Sequence, residues 1–155
     1  MHKDHYENLF YVCSGQKEFL LCPPADSLYL REEDFVTGSF CPLRKNADKS
    51  TGCSRHQSWV VVACDDTTKW IEPDLNKFIT EQSSGFEFPL LSKAHPIKVL
   101  LSEGEMLYIP SLWYHRVTQT CETVGVNYWF DMKFDQRWCY FNFLQNLKAD
   151  AIHDV

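Results

Sequence analysis

Short apolar runs that end at turn residues recur along the chain and predict strands. Leu9–Cys13 ends at Ser14-Gly15 and Lys17–Cys22 ends at Pro23-Pro24, so these two runs together predict a hairpin. The β-branched run Ser58–Cys64 lacks polar alternation, which predicts a buried strand. Four further strands are predicted in a dense block over Ile97–Ser102, Glu105–Pro110, Trp113–Thr120 and Thr123–Phe130.

Three segments depart from this strand pattern. Residues 26–57 are polar and rich in turn formers, which predicts a long surface insertion. Residues 74–81 predict a short helix, and from residue 135 onwards the apolar period lengthens and predicts a C-terminal helix over 135–155. The apolar stripe of that helix consists of Tyr140, Leu144, Leu147 and Ala151, widened by Phe141 and Phe143. Such a stripe fits packing on the same domain and an oligomer contact, such as a homodimer, equally well.

Composition favours one folded, mainly β domain over residues 1–134, followed by that helix. The 155 residues are 45% hydrophobic and 15% aromatic, which excludes a disordered chain. A net charge of −6 argues against a phosphate-binding surface and therefore against nucleic acid as a partner. Seven cysteines without a C-x-x-C pair, no apolar leader and no membrane-length apolar run favour an intracellular compartment, cytoplasm or nucleus.

The chain begins with half of a metal site. His2 and Asp4 are separated by one residue, which on a strand places both side chains on the same face, whereas His5 would lie on the other. A 2-His-1-carboxylate triad binds Fe(II) and leaves coordination positions open. Among the remaining histidines, His115 is the best third ligand because it lies inside an aromatic predicted strand. A buried histidine with a purely structural role is the alternative interpretation of His115.

Two long blocks resemble the Jumonji-C dioxygenases, in their cupin-like subgroup of protein hydroxylases. The first block is "HKDHYENLFYVCSGQKEFLLCPP", and the second is "GEMLYIPSLWYHRV" followed by "VNYWFDMKFD". The resemblance covers most of the chain and aligns loosely over the insertion. It implies a double-stranded β-helix, also called a jelly-roll or cupin-like fold, with Fe(II) as cofactor and 2-oxoglutarate and O2 as cosubstrates.

The resemblance also implies roles for individual residues. His2, Asp4 and His115 match the iron ligands, and Lys17 matches the basic residue that pairs with the distal carboxylate of 2-oxoglutarate. Further positions match the cosubstrate pocket, namely Asn8 and Asn127 as hydrogen-bonding residues and Trp129 as a wall. The implied substrate is a lysyl side chain of a protein, with a GTPase as a candidate partner. No catalytic residue beyond the metal centre is implied, because the metal and cosubstrate supply the oxidation.

The chain departs from the family at its start. Family members carry a substantial segment before the H-x-D strand, including the first strand of the β-helix, whereas here only Met1 precedes His2. We therefore expect an incomplete double-stranded β-helix from an N-terminally truncated chain. Two functions follow as alternatives: a dioxygenase whose activity belongs to the lineage, and an inactive interaction module that keeps the ancestral pattern.

Overall fold

The computed structural model describes residues 1–43, 58–72, 74–75 and 88–153. The chain divides into two compact units, the first formed by Met1–Glu32 with Ile71–Val155 and the second by Glu33–Trp70. The strands are β1 (His2–Lys3), β2 (Tyr6–Ser14), β3 (Gln16–Cys22), β4 (Glu32–Pro42), β5 (Trp59–Ile71), β6 (Ile97–Ser102), β7 (Met106–Ile109), β8 (Tyr114–Gln119) and β9 (Val124–Asp131). Two short 3-10 helices (Pro24–Leu28 and Leu91–Lys93) and a C-terminal α-helix, here α1 (Gln136–His153), complete the described elements.

Strands of the first unit that are joined by short connections alternate between two antiparallel sheets, whereas β3 and β6, joined through the second unit, pair within one sheet. One sheet has the order β1-β8-β3-β6 and the other has the order β7-β2-β9. Each short connection therefore crosses from one sheet to the other, which is the connectivity of a double-stranded β-helix or jelly-roll. The mainly β, cupin-like fold class is confirmed. The predicted hairpin of β2 with β3 is wrong, because the chain crosses between sheets at Gly15, whose φ of 84° suits glycine.

Alternation along the strands divides the apolar side chains between two cores. The core between the sheets contains Phe10, Val12, Phe19, Leu21, Leu101 and Ile109. The second core lies on the outer face of the β1-β8-β3-β6 sheet and contains Met1, Leu20, Cys22, Leu30, Ile71, Leu75, Leu91, Leu112, Tyr114, Met132 and Phe141. Neighbours in sequence such as Leu20 and Leu21 thus belong to different cores, since side chains alternate across a strand.

The second unit is a two-stranded ribbon of β4 and β5. The sequence predicted a surface insertion over residues 26–57 but no strand within it, whereas Glu32–Pro42 is a strand. Ser58–Cys64 was correctly predicted as strand but wrongly as buried, because Val60, Val61 and Val62 are all exposed. A run of β-branched residues indicates a strand but does not show whether the strand is buried. In a two-stranded ribbon no second sheet covers these side chains. Most of the predicted helix at 74–81 lies outside the described residues.

Helix α1 packs on its own unit through a face that the stripe only partly predicted. Phe141 and Leu144 are buried, and Trp138 packs against the same core. Tyr140 and Leu147, which belong to the predicted apolar stripe, are exposed. The helix begins after Asp135, whose carboxylate accepts the backbone N–H of Arg137 at 3.0 Å. Within the described ranges, no helix is long and apolar enough to cross a membrane.

Candidate metal centre

Strand pairing places two histidines side by side between the sheets. β1 pairs with β8 so that His2 lies opposite His115 and Lys3 lies opposite Tyr114. Tyr114 belongs to the outer core, so the alternating neighbour His115 points to the opposite side, towards the space between the sheets. The imidazole rings of His2 and His115 have their centroids 4.5 Å apart. The short strand β1 therefore directs the imidazole of His2 towards that space and the side chain of Lys3 towards the outer core.

Asp4 completes a cluster of three ligand-type side chains. Its Oδ2 lies 3.8 Å from Nε2 of His2 and 3.6 Å from Nε2 of His115. One candidate ligand atom from each residue lies within 4.8 Å of the other two. His115 is buried, and His2 and Asp4 are partly exposed. Two imidazoles and one carboxylate thus converge in a partly exposed cluster, a donor set that suits a metal centre with open positions.

Hydrogen bonds set the orientation of two members of this cluster. Nδ1 of His115 lies 3.1 Å from the carbonyl oxygen of Trp113. Because a carbonyl only accepts, Nδ1 carries the proton and Nε2 presents its lone pair to the cluster. The backbone carbonyl of Asp4 accepts the N–H of Leu112 at 2.9 Å. The segment between β7 and β8 thus contacts both Asp4 and His115.

The electrostatics of the cluster favour neutral imidazole at His2. Burial and the neighbouring His115 lower the pKa of His2, and the opposing effect of Asp4 does not restore the usual value. A neutral imidazole is the form that ligates a metal ion.

Contacts on the opposite side of β1 support its position. Lys3 forms an ion pair with Glu32, and both side chains are largely removed from solvent. Its Nζ also lies 5.1 Å from the ring centroid of Tyr114 and 5.5 Å from that of Phe141. Met1 is buried, and its carbonyl accepts the N–H of Ile71 at 2.9 Å. The strand that carries His2 is therefore fixed from the outer core.

Lys17 lies on the same inward face as His115 but further along the sheet. In the pairing of β3 with β8, Leu21 lies opposite His115 and Lys17 lies opposite Gln119. Four residues of strand separate the two positions, about 13 Å at the usual rise. The side chain of Lys17 is partly buried, and its Nζ lies 4.8 Å from the ring centroid of Phe10. A cation held over an aromatic ring between the sheets is available to an anion there.

The three remaining predicted residues lie on inward faces of the facing sheet. Asn8 is buried opposite Trp129, and Asn127 lies opposite Phe10. Oδ1 of Asn8 is buried and has no hydrogen-bond partner among the described residues, which is unusual for a buried amide. Asn127 and Trp129 face the same space but are exposed, Trp129 by 60%. The structure brings His2, Asp4 and His115 together and places Lys17, Asn8, Asn127 and Trp129 on the inward faces of the two sheets.

Sequence reasoning missed a second set of polar residues next to this centre. The carboxylate of Glu7 accepts hydrogen bonds from Tyr108 and Ser111, and Leu112 adopts a φ of 67°. Glu7 belongs to the outward-facing positions of β2, and an outward glutamate gives no signal by itself. The Pro-Ser pair at 110–111 marks a turn, but the strained residue after it cannot be read from sequence.

Comparison with known proteins agrees with this architecture. A family model described as a cupin-like domain matches residues 1–136. The chain is 38% identical over 164 residues to a protein from Arabidopsis thaliana named lysine-specific demethylase JMJ32, an alignment that covers 99% of this chain and 45% of that protein. It is 34% identical over 158 residues to JmjC domain-containing protein E from Dictyostelium discoideum, covering 94% and 42%.

A human relative has a name that describes chemistry on lysine. The chain is 32% identical over 153 residues to bifunctional peptidase and (3S)-lysyl hydroxylase JMJD7 from Homo sapiens, covering 98% of this chain and 44% of that protein. The chain thus spans less than half the length of each of these three relatives.

Proposed function

The chain belongs to the cupin-like domain family with JmjC proteins among its relatives, and from that premise we propose that it is an Fe(II)- and 2-oxoglutarate-dependent oxygenase that hydroxylates a lysyl side chain of a protein. The single observation that carries the proposal is the convergence of His2, Asp4 and His115 within 4.8 Å between two jelly-roll sheets.

The donor set fits Fe(II). Two neutral imidazole nitrogens and one carboxylate oxygen form the facial arrangement that non-haem Fe(II) oxygenases use. The Nδ1 contact of His115 with the Trp113 carbonyl supports the fit, because it leaves Nε2 free to bind. His2, Asp4 and His115 would hold the ion, and no cysteine is part of the cluster.

Lys17 would hold the distal carboxylate of 2-oxoglutarate. Its ammonium group faces the space between the sheets, where an anion is otherwise poorly solvated. The side-chain amides of Asn8 and Asn127 offer N–H donors in the same space, and Trp129 lines the open side. When bound, Fe(II) with 2-oxoglutarate and O2 supplies the oxidation: one oxygen atom enters a substrate C–H bond and the other leaves in succinate, with release of CO2. The residues of the chain would orient both reactants.

A visible charge-transfer band of Fe(II) with bound 2-oxoglutarate, recorded without oxygen, tests the centre. We expect the band in the unmodified chain, its loss in His115→Ala and a requirement for more 2-oxoglutarate in Lys17→Ala. His5→Gln and Lys98→Ala are matched controls, since His5 contacts Trp138 and Lys98 pairs with Glu18 outside the cluster. No band in a folded sample would refute the proposed cofactor set.

Mass spectrometry of lysine-containing peptides tests the substrate class. A gain of one oxygen atom on a lysine supports hydroxylation, whereas loss of a methyl group from a methylated lysine supports demethylation instead. Peptides from GTPases are the first candidates, with matched peptides in which the lysine is replaced by arginine. Oxidation of the arginine peptide at an equal rate would contradict lysyl selectivity.

A second candidate function is partner binding without catalysis. The exposure of Asn127 and Trp129 favours it, because a cosubstrate pocket with one open wall admits water. A folded chain that gives no charge-transfer band but binds a lysine-containing partner supports this second candidate.

A further inference from the structure

We propose that Glu7 is a positioning residue of the metal centre, which sets the orientation of Asp4 and His115 through the turn Pro110–Trp113. The inference rests on the proposed metal function and names a residue that lies outside the ligand set and the cosubstrate pocket. The turn joins β7 to β8 and so leads directly into the strand that carries His115.

The carboxylate of Glu7 collects hydrogen bonds from that turn and from β7. Its Oε2 accepts the backbone N–H of Ser111 at 3.0 Å and the hydroxyl of Tyr108 at 2.5 Å. Its Oε1 accepts the hydroxyl of Ser111 at 3.0 Å, and Nη1 of Arg137 lies 3.5 Å away. Ser111 is buried, so two of its donors depend on this one carboxylate.

The next residue of the turn explains why such support is needed. Leu112 has a φ of 67°, the one positive φ of a non-glycine residue among the described residues, and its side chain is buried. A branched residue in the left-handed region persists only where neighbouring contacts hold it. The residue before Leu112 is Ser111, which the hydrogen bonds to Glu7 hold in place. After Leu112 the chain continues through Trp113 into β8.

Leu112 and Trp113 transmit this geometry to two of the three ligands. The strained conformation directs the N–H of Leu112 to the carbonyl of Asp4 at 2.9 Å. One residue later, the carbonyl of Trp113 lies 3.1 Å from Nδ1 of His115 and fixes its ring. Glu7 therefore supports the Asp4 backbone and the His115 tautomer without contacting either residue's ligand atoms.

The charge and shape of a carboxylate suit this position. Burial raises the pKa of Glu7, but the hydrogen bonds from Tyr108 and Ser111 outweigh that effect and hold the pKa below its usual value. A glutamine would bring an N–H group to a site that already contains three donors. The amide oxygen can still accept the backbone N–H of Ser111, but the Ser111 hydroxyl must reverse its hydrogen bond and Arg137 loses the charge that it faces. Because hydrogen bonds to a charged acceptor are the stronger ones, Glu7→Gln weakens the contacts that hold the turn.

Titration with Co²⁺ alone, followed by its visible absorption, tests the proposal without cosubstrate or oxygen. We expect Glu7→Gln to weaken Co²⁺ binding about 10- to 100-fold, the usual effect of removing a group that orients a ligand. Glu105→Gln is the matched control, because Glu105 accepts the backbone N–H of Ser102 at 2.7 Å in a turn that carries no ligand. Equal affinities of the two variants would overturn the proposal.

A metal-free measurement separates positioning from a general loss of stability. The ¹⁵N chemical shifts of His115 report its tautomer, and we expect a mixed population in Glu7→Gln but not in Glu105→Gln. If Glu7→Gln fails to fold, Ser111→Ala replaces it, since it removes one donor from Oε1 and leaves the backbone contact. A tautomer unchanged from the unmodified chain in the folded variant contradicts the role of Glu7. If the unmodified chain does not bind Co²⁺, the proposed metal function itself is refuted.

Discussion

Removal of the Lys3 ammonium group is expected to destabilise the unit that carries the candidate metal centre. Lys3 lies between His2 and Asp4 in sequence but points to the outer core, where it pairs with Glu32. The side chain of Lys3 is 14% exposed and that of Glu32 is 7% exposed, so solvent screens this pair little. Lys3→Met keeps the length of the side chain and leaves the Glu32 carboxylate without its cation.

The expected magnitude follows from the burial of the remaining carboxylate. Breaking a buried ion pair by removing one partner costs about 3–5 kcal/mol, and the residual exposure places Lys3→Met near about 3 kcal/mol. Loss of the contacts with Tyr114 and Phe141 adds to this cost. For a chain of this size, about 3 kcal/mol corresponds to a melting temperature lower by roughly 6–12 °C. Removal of both charges in Lys3→Met/Glu32→Leu is expected to restore most of the stability, because no buried charge is left.

Urea unfolding at pH 7, analysed as a double-mutant cycle over Lys3 and Glu32, measures the coupling. Lys69→Met is the matched control, since its pair with Asp34 is mostly exposed and is worth less than about 1 kcal/mol. The reasoning is refuted if Lys3→Met costs no more than Lys69→Met. It is equally refuted if the losses of the two single variants simply add in the double variant.

Three further predictions concern the cores. In Gly125→Ala the new Cβ would lie 2.5 Å from Cζ of Phe10. The free energy of unfolding in urea should therefore fall by about 1–3 kcal/mol. An unchanged urea midpoint would contradict this crowding. Burial raises the pKa of the Cys22 thiol to about 12, so the exposed Cys13 should react with a thiol reagent at pH 8 while Cys22 reacts only on unfolding. Burial also raises the pKa of Tyr114. The Cys22 thiol and the Tyr114 hydroxyl therefore both titrate at a higher pH in the folded than in the unfolded state. Their contribution to the free energy of unfolding is present below about pH 9 and is lost as pH rises further. A free energy of unfolding that stays constant from pH 9 to 11 would contradict this sign.

Most strands could be predicted from sequence, with β4 as the exception, but the partners of the strands could not. Ile97–Ser102 was predicted with the bounds that β6 has in the structure. Apolar runs and turn residues report local conformation, which is why their positions are readable. Whether two consecutive strands form a hairpin or lie in different sheets depends on which side chains are buried against a second sheet. Leu20 and Leu21, for example, pack in different cores, and nothing in the run Lys17–Cys22 distinguishes them.

The residues of the candidate site could likewise be predicted from sequence only in part. His2, Asp4 and His115 are chemically distinctive, and the structure brings them together, although their role as ligands stays a prediction. Lys17 followed from resemblance, not from any local pattern. Glu7 and Leu112 gave no signal, because one is an ordinary outward glutamate and the other a leucine whose backbone is set by tertiary contacts.

The alternation of inward and outward residues along β1 and β8 has a consequence for insertions and deletions. A one-residue slip in either strand would exchange the two faces, so that Tyr114 would replace His115 in the candidate metal centre and the imidazole would enter the apolar outer core. Substitutions on the outer face change stability by increments, whereas a length change at this pairing removes a candidate ligand and puts an aromatic ring in its place. Length polymorphism between Pro110 and Tyr114 should therefore be far rarer among active relatives than substitution there.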